Sequence, residues 1–422
     1  MKARALLVAA VAGECALLAC AGRYADFAVP GNALRFVPLI LAAGACFLLA
    51  LSRFPAARPA AWFWSVAVLL RLLALPMTPG DDFWRYLWES RVQHAGHNPY
   101  LLAPDAPELE PLRDATWPLI NHPESPAIYP PLASLTFSAL TRISASPLLF
   151  KVVFAAADLL TAALLLSLIG GTARHRAVAW YAWNPAVVYA FAGGAHFDSL
   201  MLLALTAAVW LFARHALLSA ACLGAAIAFK LVPIFLLPAW AFALRRRAWM
   251  LAPAVLIPLA LTYSFGGPSI ILPPLLAFAR VTRFNDLIWG FIEAATLPNP
   301  TGQNWPYTFA LLIVIAVLSW KLRDHFPRSV LWCFGAVLLL SPVLHPWYAT
   351  WILPLAIWRG ARAWTILSLS ALSAFLLWES TPFWTAWHPN LLTRALVAIP
   401  PLLALRFLSL NSQPSTLNFP PP

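Results

Sequence analysis

Charge is what this chain has least of. Only 10% of its 422 residues are Asp, Glu, Lys or Arg, against about a quarter in a soluble domain. With 61% hydrophobic residues and a mean hydropathy of +0.75, it cannot cover its surface with polar groups in water. Cysteine is scarce as well. Cys15, Cys20, Cys46, Cys222 and Cys333 all lie in apolar runs, with no CxxC and no neighbouring His. That removes the sequence basis for a disulfide framework or a zinc site and leaves them as small buried hydrophobes. There is no GxxxxGK[ST], no GxGxxG after a strand, no GxSxG and no HExxH, so nothing in the chain supports use of ATP or the chemistry those motifs carry.

What is present is a series of continuous apolar runs rich in Leu and Ala. A spanning β-barrel would show short segments alternating in polarity. Continuous runs instead satisfy their backbone groups as helices. The predicted fold is all-α, a polytopic integral membrane protein with about 12–14 transmembrane helices and two long outer-face loops. Spans are expected at roughly 5–21, 34–51, 61–76, 148–169, 177–192, 199–213, 216–229, 231–244, 248–264, 306–320, 329–343, 346–358, 363–378 and 390–408, several of them short enough to imply broken or tilted helices. Trp62, Trp64, Trp180, Trp249, Trp347 and Trp378 sit at run ends, as an amphipathic ring at headgroup level would. The Lys2 and Arg4 start could pass for a lipoprotein signal ending at Cys20. Glu14 within the run favours an uncleaved first span.

The formal charge of +12 would suggest nucleic acid in a soluble protein. Here the basic residues form small groups between apolar runs, with no basic stripe, so no nucleic-acid partner is expected. With the N-terminus inside, the short loops carrying Arg53 and Arg58, Arg174 and Arg176, Arg214, Arg245–Arg247, Lys321 to Arg328, and Arg359 with Arg362 all fall on the cytoplasmic side. That scheme requires 131–143 to be a half-inserted or surface helix on the outer side. Asp81, Asp82, Glu89, Asp105, Glu108, Glu110, Asp114, Glu124, Asp198, Asp286, Glu293 and Glu379 then lie outside, against Asp324 inside. Acidic residues do not set topology, so a working site on the outer face is the expected cause. The domain reading is an N-terminal hairpin at 1–60, a catalytic core at 61–264 that includes outer loop 77–147, a second outer loop at 265–305, C-terminal helices at 306–410 and a disordered tail at 411–422.

The densest constellation is Gly80-Asp81-Asp82-Phe83-Trp84-Arg85-Tyr86-Leu87-Trp88-Glu89, placed at the bilayer surface by Pro76 and Pro79. If 82–94 is helical, Asp82, Tyr86 and Glu89 share a face. A carboxylate base beside an anion-binding Arg85 is what group transfer from a lipid phosphate needs; the competing reading is a solvated acidic loop with a surface ion pair. Asn98-Pro99-Tyr100, His122-Pro123 and Tyr129-Pro130-Pro131 read mainly as turn punctuation, with His122 and Tyr129 as candidate substrate contacts. At Gly193-Gly194-Ala195-His196-Phe197-Asp198, a tight turn would bring His196 and Asp198 together, although Asp198 could equally cap a helix. Lys230 breaks the charge rule and is a candidate phosphate ligand or a snorkelling lysine. His345, before Pro346-Trp347-Tyr348, could bond a sugar or phosphate or act as a polar cap. Glu14 and Asp158 lie within spans, where carboxylates are costly; Asp158 could pair with a neighbouring helix.

The run Asp82 to Glu89, with Arg91-Val92-Gln93, Gly96-His97-Asn98-Pro99-Tyr100 and Tyr129-Pro130-Pro131-Leu132, resembles the first outer loop of polyprenol-phosphate-dependent glycosyltransferases of the C type (GT-C), bacterial mannosyltransferase-like members especially. Asn184-Pro185, Gly193-Gly194 with His196 and Asp198, Phe229-Lys230 with Pro233, and His345-Pro346-Trp347-Tyr348 are similar to later motifs of that group. The likeness covers about residues 60 to 360; the first-loop motif is fairly specific, and the others are short. Ser90 and His97 depart from the small or apolar residues common there, and spans 5–51 look like an addition before the usual core. The resemblance implies a polyprenyl-phosphate sugar donor, an acceptor hydroxyl on a glycolipid or polysaccharide, and inverting transfer on the outer face of the inner membrane. Asp82 matches the catalytic base, Asp81 its neighbour and Asp198 the second acidic position. A polyprenyl phosphate is already a fair leaving group, so the chemistry requires no cofactor or metal; a divalent ion stays open. Two other readings compete: a transporter using the intramembrane Glu14, Asp158 and Arg71, and a non-catalytic subunit of an envelope complex.

Overall fold

The computed structural model describes residues 2–55, 60–296, 299, 301–379 and 391–408, with side chains to residue 405. Arg58 and the 411–422 tail lie outside the described residues. Those residues form helices and helical turns, and the β-type pairing among them is a single isolated bridge between Phe284 and Val343. The chain is an all-α polytopic membrane protein. Lys2–Gly22, Asn32–Arg53, Pro147–Ile169 and the run Val232–Phe265 are each long and apolar enough to cross a bilayer. Pro185–Gly193 and Asp198–Leu211 would form a fifth span, bent by 120°. The other expected spans are helices of 10–17 residues or shorter broken pieces, so the chain achieves its depth largely with interrupted helices.

Local sequence explains the interruptions. The Val232–Phe265 run is interrupted at the arginine triplet, where Arg245 takes φ +51° and Arg247 leaves helical geometry, dividing it into Leu237–Leu244 and Ala252–Thr262. Asn184 ends one helix and starts the next: its Oδ1 accepts from the Ala186 amide at 2.9 Å, the capping role its short side chain suits, with Pro185 at the first helical position. The chain continues through a π-helical turn, Tyr189–Gly193. In the long loop 77–147, helices cover Asp82–His94 and Pro131–Ile143, where the sequence placed them. The second outer loop is more regular than expected: Pro268–Val281 and Leu287–Ala295 are helical.

Contacts sort the loops onto two ends of the bundle. At one end Arg245 meets Asp324 at 2.7 Å, and Arg362 lies over the Trp180 ring at 5.1 Å. At the other end, Asn98 Nδ2 donates to the Phe265 carbonyl at 2.8 Å and joins the two long loops. The Glu379 carboxylate accepts from the amides of Gly31 (2.9 Å) and Ala33 (2.8 Å), neutralising the N-terminal amides of Asn32–Arg53. Phe36 packs on Tyr189 and Phe375 with centroids 5.0 and 5.7 Å apart. The N-terminal hairpin is thereby built into the core. Buried in the bundle, Asp158 accepts from Arg71 Nε at 2.8 Å and Nη2 at 2.6 Å, which provides the inter-helix partner expected for it.

Candidate active site

The site grows from the end of the Ala60–Ala74 helix. Gly80 donates its amide to the Gly194 carbonyl at 2.9 Å. A Cβ at Gly194 would lie 2.9 Å from the His196 ring, and one at Gly80 3.3 Å from it. Gly194 therefore leaves no room for a side chain against the imidazole, and Gly80 leaves little, where the two loops close around it. Asp81 and Asp82 follow, at the start of Asp82–His94. Asn121 bridges them: its Nδ2 lies 3.2 Å from Asp81 Oδ2 and 3.0 Å from Asp82 Oδ1. His196 Nδ1 stands 3.8 Å from Asp82 Oδ2. Burial first, then the neighbouring Asp82 carboxylate, pushes Asp81 up to about 7 against the pull of the Asn121 amide. Two adjacent carboxylates in a desolvated corner hold a shared proton more tightly than either would alone.

The cleft above this pair is lined by Asp81, Asp82, Arg85, Asn121, His122 and Tyr129, and closed by Phe278, His345, Trp347, Tyr348 and Trp378. Its aromatic wall is a stack. His196 lies on Trp347 (3.8 Å, 16°), Trp347 on His345 (4.6 Å, 12°), and His345 on Phe284 (4.5 Å, 17°). Phe284 enters from the second outer loop, held by its amide to the Pro342 carbonyl at 2.9 Å and its carbonyl to the Leu344 amide at 2.7 Å. The second loop thus builds one side of the site. Trp347 thus stacks with two imidazoles, His196 and His345, while lining the cleft. Among the described residues, Trp347 Nε1 and His345 Nδ1 have no hydrogen-bond partner although buried.

The sequence candidates divide into two groups. Asp81, Asp82, Arg85, His122, Tyr129 and His345 share the cleft, and His196 supports it from behind. Tyr86, Glu89, Asp198 and Lys230 do not line it. Tyr86 is buried beneath, stacked on Phe137 at 4.3 Å. Glu89 is 2% exposed and paired with Arg85 at 3.2 Å; burial holds it above the ordinary carboxylate range despite that cation. Arg85 has five N–H donors, and all are occupied: Glu89, and the carbonyls of Asn121, His122, Ser125 and Pro126 at 2.9–3.1 Å. It straps the loop down and has no N–H left for a phosphate. Asp198, rather than capping a helix, pairs with Lys230, whose ammonium lies over the rings of Phe197, Tyr348 and Trp351 at 5.2, 4.5 and 4.6 Å.

Sequence reasoning missed Asn121, Phe278, Phe284 and Trp378. A lone Asn in a Pro-rich loop carries no signal, and the three aromatics read as span or loop residues. Among the described residues, no three His, Cys, Asp or Glu side chains converge as a metal-binding group.

Residues 11–246, more than half of the chain, match the family model described as alpha-(1->6)-mannopyranosyltransferase, N-terminal domain. The matched stretch begins inside the first helix, so it takes in the N-terminal hairpin as well as Asp81, Asp82, Asn121, His196 and Lys230. No curated protein matches the chain.

Proposed function

The chain belongs to the alpha-(1->6)-mannopyranosyltransferase family, and on that premise we propose that it moves mannose from a polyprenyl-phosphate donor to an acceptor hydroxyl, with Asp82 as general base. It is a membrane mannosyltransferase; the donor, the acceptor and the base are our reading. The observation that carries the reading is the carboxylate pair at the floor of an aromatic cleft, bridged by Asn121 and backed by His196.

In the proposed step the acceptor oxygen attacks the anomeric carbon while Asp82 takes its proton. The bond from that carbon to the phosphate oxygen breaks, and the phosphate leaves with the electron pair. The displacement inverts the anomeric centre, so an α-linked product of the kind in the family's description requires a β-linked donor. Growing negative charge on the leaving phosphate needs a cation. Arg85 is committed to the loop; of the two cations the sequence offered, the other is Lys230, which lies behind the Tyr348 ring, is itself paired with Asp198, and would have to turn toward the phosphate. The isoprenoid chain would lie along apolar helix surfaces beside the cleft. In this reading the protein lies in the inner membrane with the site facing outward, an orientation that the distribution of basic loops supports, and the acceptor is a glycolipid or polysaccharide at that face. The division into an N-terminal hairpin, a core at 61–264, a second loop and C-terminal helices belongs to the same reading.

Proteoliposomes supplied with radiolabelled polyprenyl-phosphate mannose and a membrane glycolipid extract test it. Transfer by the wild type, lost in a folded Asp82→Asn variant, is expected. An Asp82→Asn variant as active as the wild type removes Asp82 as the base, and a wild type inactive with every polyprenyl-phosphate sugar removes the donor.

A further inference from the structure

One side chain touches both carboxylates and comes from neither of the segments that carry them. Asn121 lies 39 and 40 residues from Asp82 and Asp81, in the Pro-rich stretch between the two outer-loop helices. It is 6% exposed, and its single amide nitrogen reaches an oxygen of each acid. Its Oδ1 is buried with no partner among the described residues, so within the protein the amide serves only as a donor to the pair. We infer that Asn121 is a positioning residue of the transfer reaction: it yokes Asp81 to Asp82 so that one stays available as an ionised base. The inference rests on the reading of Asp82 as the base.

The backbone shows why the side chain can be tested alone. Arg85 holds the carbonyls of Asn121 and His122 at 3.0 and 2.9 Å, and those of Ser125 and Pro126 at 3.0 and 3.1 Å. The loop is fixed by these bonds and by the Asp105 amide on the Pro123 carbonyl at 3.0 Å. None of them uses the Asn121 amide group. Asn121→Ala therefore deletes the yoke and leaves the loop strapped.

An N–H donor stabilises the ionised form of an acid. Removing one shared by two adjacent carboxylates makes the pair as a unit harder to ionise, so its ionised form is reached only at higher pH. The other titratable and charged groups facing the pair stay in place: His196 and Tyr189 from the broken helix, His345 and Tyr348 from one turn, His122 and Tyr129 from the loop, and Arg85, Tyr86 and Glu89 from the pair's own helix. The displacement of the profile then reports the lost amide.

The experiment is a pH–rate profile of mannosyl transfer in proteoliposomes for wild type, Asn121→Ala, Asn121→Gln and Asp82→Asn. Asn121→Ala should lower kcat several-fold near the acid limb, approaching about tenfold below it, with KM for the donor nearly unchanged. Its acid limb should move up by about one pH unit, the size of one charged hydrogen bond. Asn121→Gln, which keeps an amide, should recover part of both. A raised KM with an unmoved acid limb would make Asn121 a substrate contact and overturn the inference. So would a profile superimposable on the wild type. Because Asp82→Asn is measured alongside, a failure of the base assignment shows as activity in that variant and is distinguishable from a failure at Asn121.

Discussion

Asp198 Oδ1 lies 2.6 Å from Lys230 Nζ and 2.8 Å from Trp351 Nε1. The carboxylate is 1% exposed and has no other partner for Oδ2 among the described residues. Breaking such a pair from the cationic side strands a buried charge. Lys230→Met should therefore destabilise the protein by about 3 kcal/mol or more, whereas Asp198→Asn leaves an ammonium still seated over three rings and should cost less. Thermal unfolding in detergent checks the order. A Lys230→Met variant with unchanged midpoint but weakened donor binding would show that the lysine serves the phosphate and contributes little to the lock.

Arg85 is a second cation whose contacts are internal, here with all five donors used. A lysine at that position offers three donors to a site that uses five, and each bond from a charged donor contributes about 1.5–3 kcal/mol. Arg85→Lys should free the 121–126 strand, lower transfer by more than about tenfold, and expose the loop. The measurement is trypsin cleavage after Arg113, whose Nη2 donates to the Asp105 carbonyl at 2.8 Å in the closed loop. Cleavage should be faster in the variant than in wild type at equal protease.

These two residues also mark how far the sequence could be read. The segment 82–94 was legible because its charged and aromatic residues repeat at helical spacing, and 131–143 because Pro130-Pro131 fixes where a helix can begin. The helix Pro268–Val281 was not, since Pro273 and Pro274 within it are residues that normally argue against one. At the site, Asp81, Asp82 and His345 were found from their chemistry and neighbours. Which cations are already engaged was not legible: Arg85 and Lys230 look alike in sequence, and only their partners show it, five carbonyl and carboxylate groups 4 to 41 residues from Arg85 and the Asp198 carboxylate 32 residues from Lys230. The His196–Trp347–His345–Phe284 stack joins three stretches of chain through ring faces, and no local pattern encodes it.

The carboxylate pair carries a pH dependence of stability with a definite sign. Burial and Asp82 raise Asp81 from an ordinary 3.8 to about 7. Folding then favours the protonated acid, so its contribution is full below pH 3.8 and is lost as pH rises through about 7. Between pH 5 and 8 the unfolding midpoint of the wild type should fall, and Asp81→Asn, which cannot ionise, should remove that fall. Midpoints at half-unit steps of pH for the two proteins settle it; parallel curves would assign the slope to other groups.

Arg71 and Asp158 separate the transferase from the transporter. A transporter would need charges near the middle of the bundle to be available to a solute, but here Asp158 is fully buried and bonded twice to Arg71. Arg71 in turn donates to the carbonyls of Ala67, at 3.0 Å, and Ala182, fastening Ala60–Ala74 to the helix that leads into the broken segment. A bond of this kind is structural, and its energetics are those of a buried ion pair: removing one partner costs about 3–5 kcal/mol, while replacing both with apolar residues of similar volume costs far less. Asp158→Leu alone should therefore unfold or inactivate the protein. Arg71→Met combined with Asp158→Leu should regain most of the lost stability and a measurable share of mannosyl transfer. Transfer restored in the double variant shows that neither charge takes part in chemistry. If instead liposomes containing wild type accumulate a solute, and that uptake is lost with Asp158→Leu in both the single and double variants yet persists in Asp82→Asn, the buried pair is a transport element and the transferase assignment of the cleft fails with it.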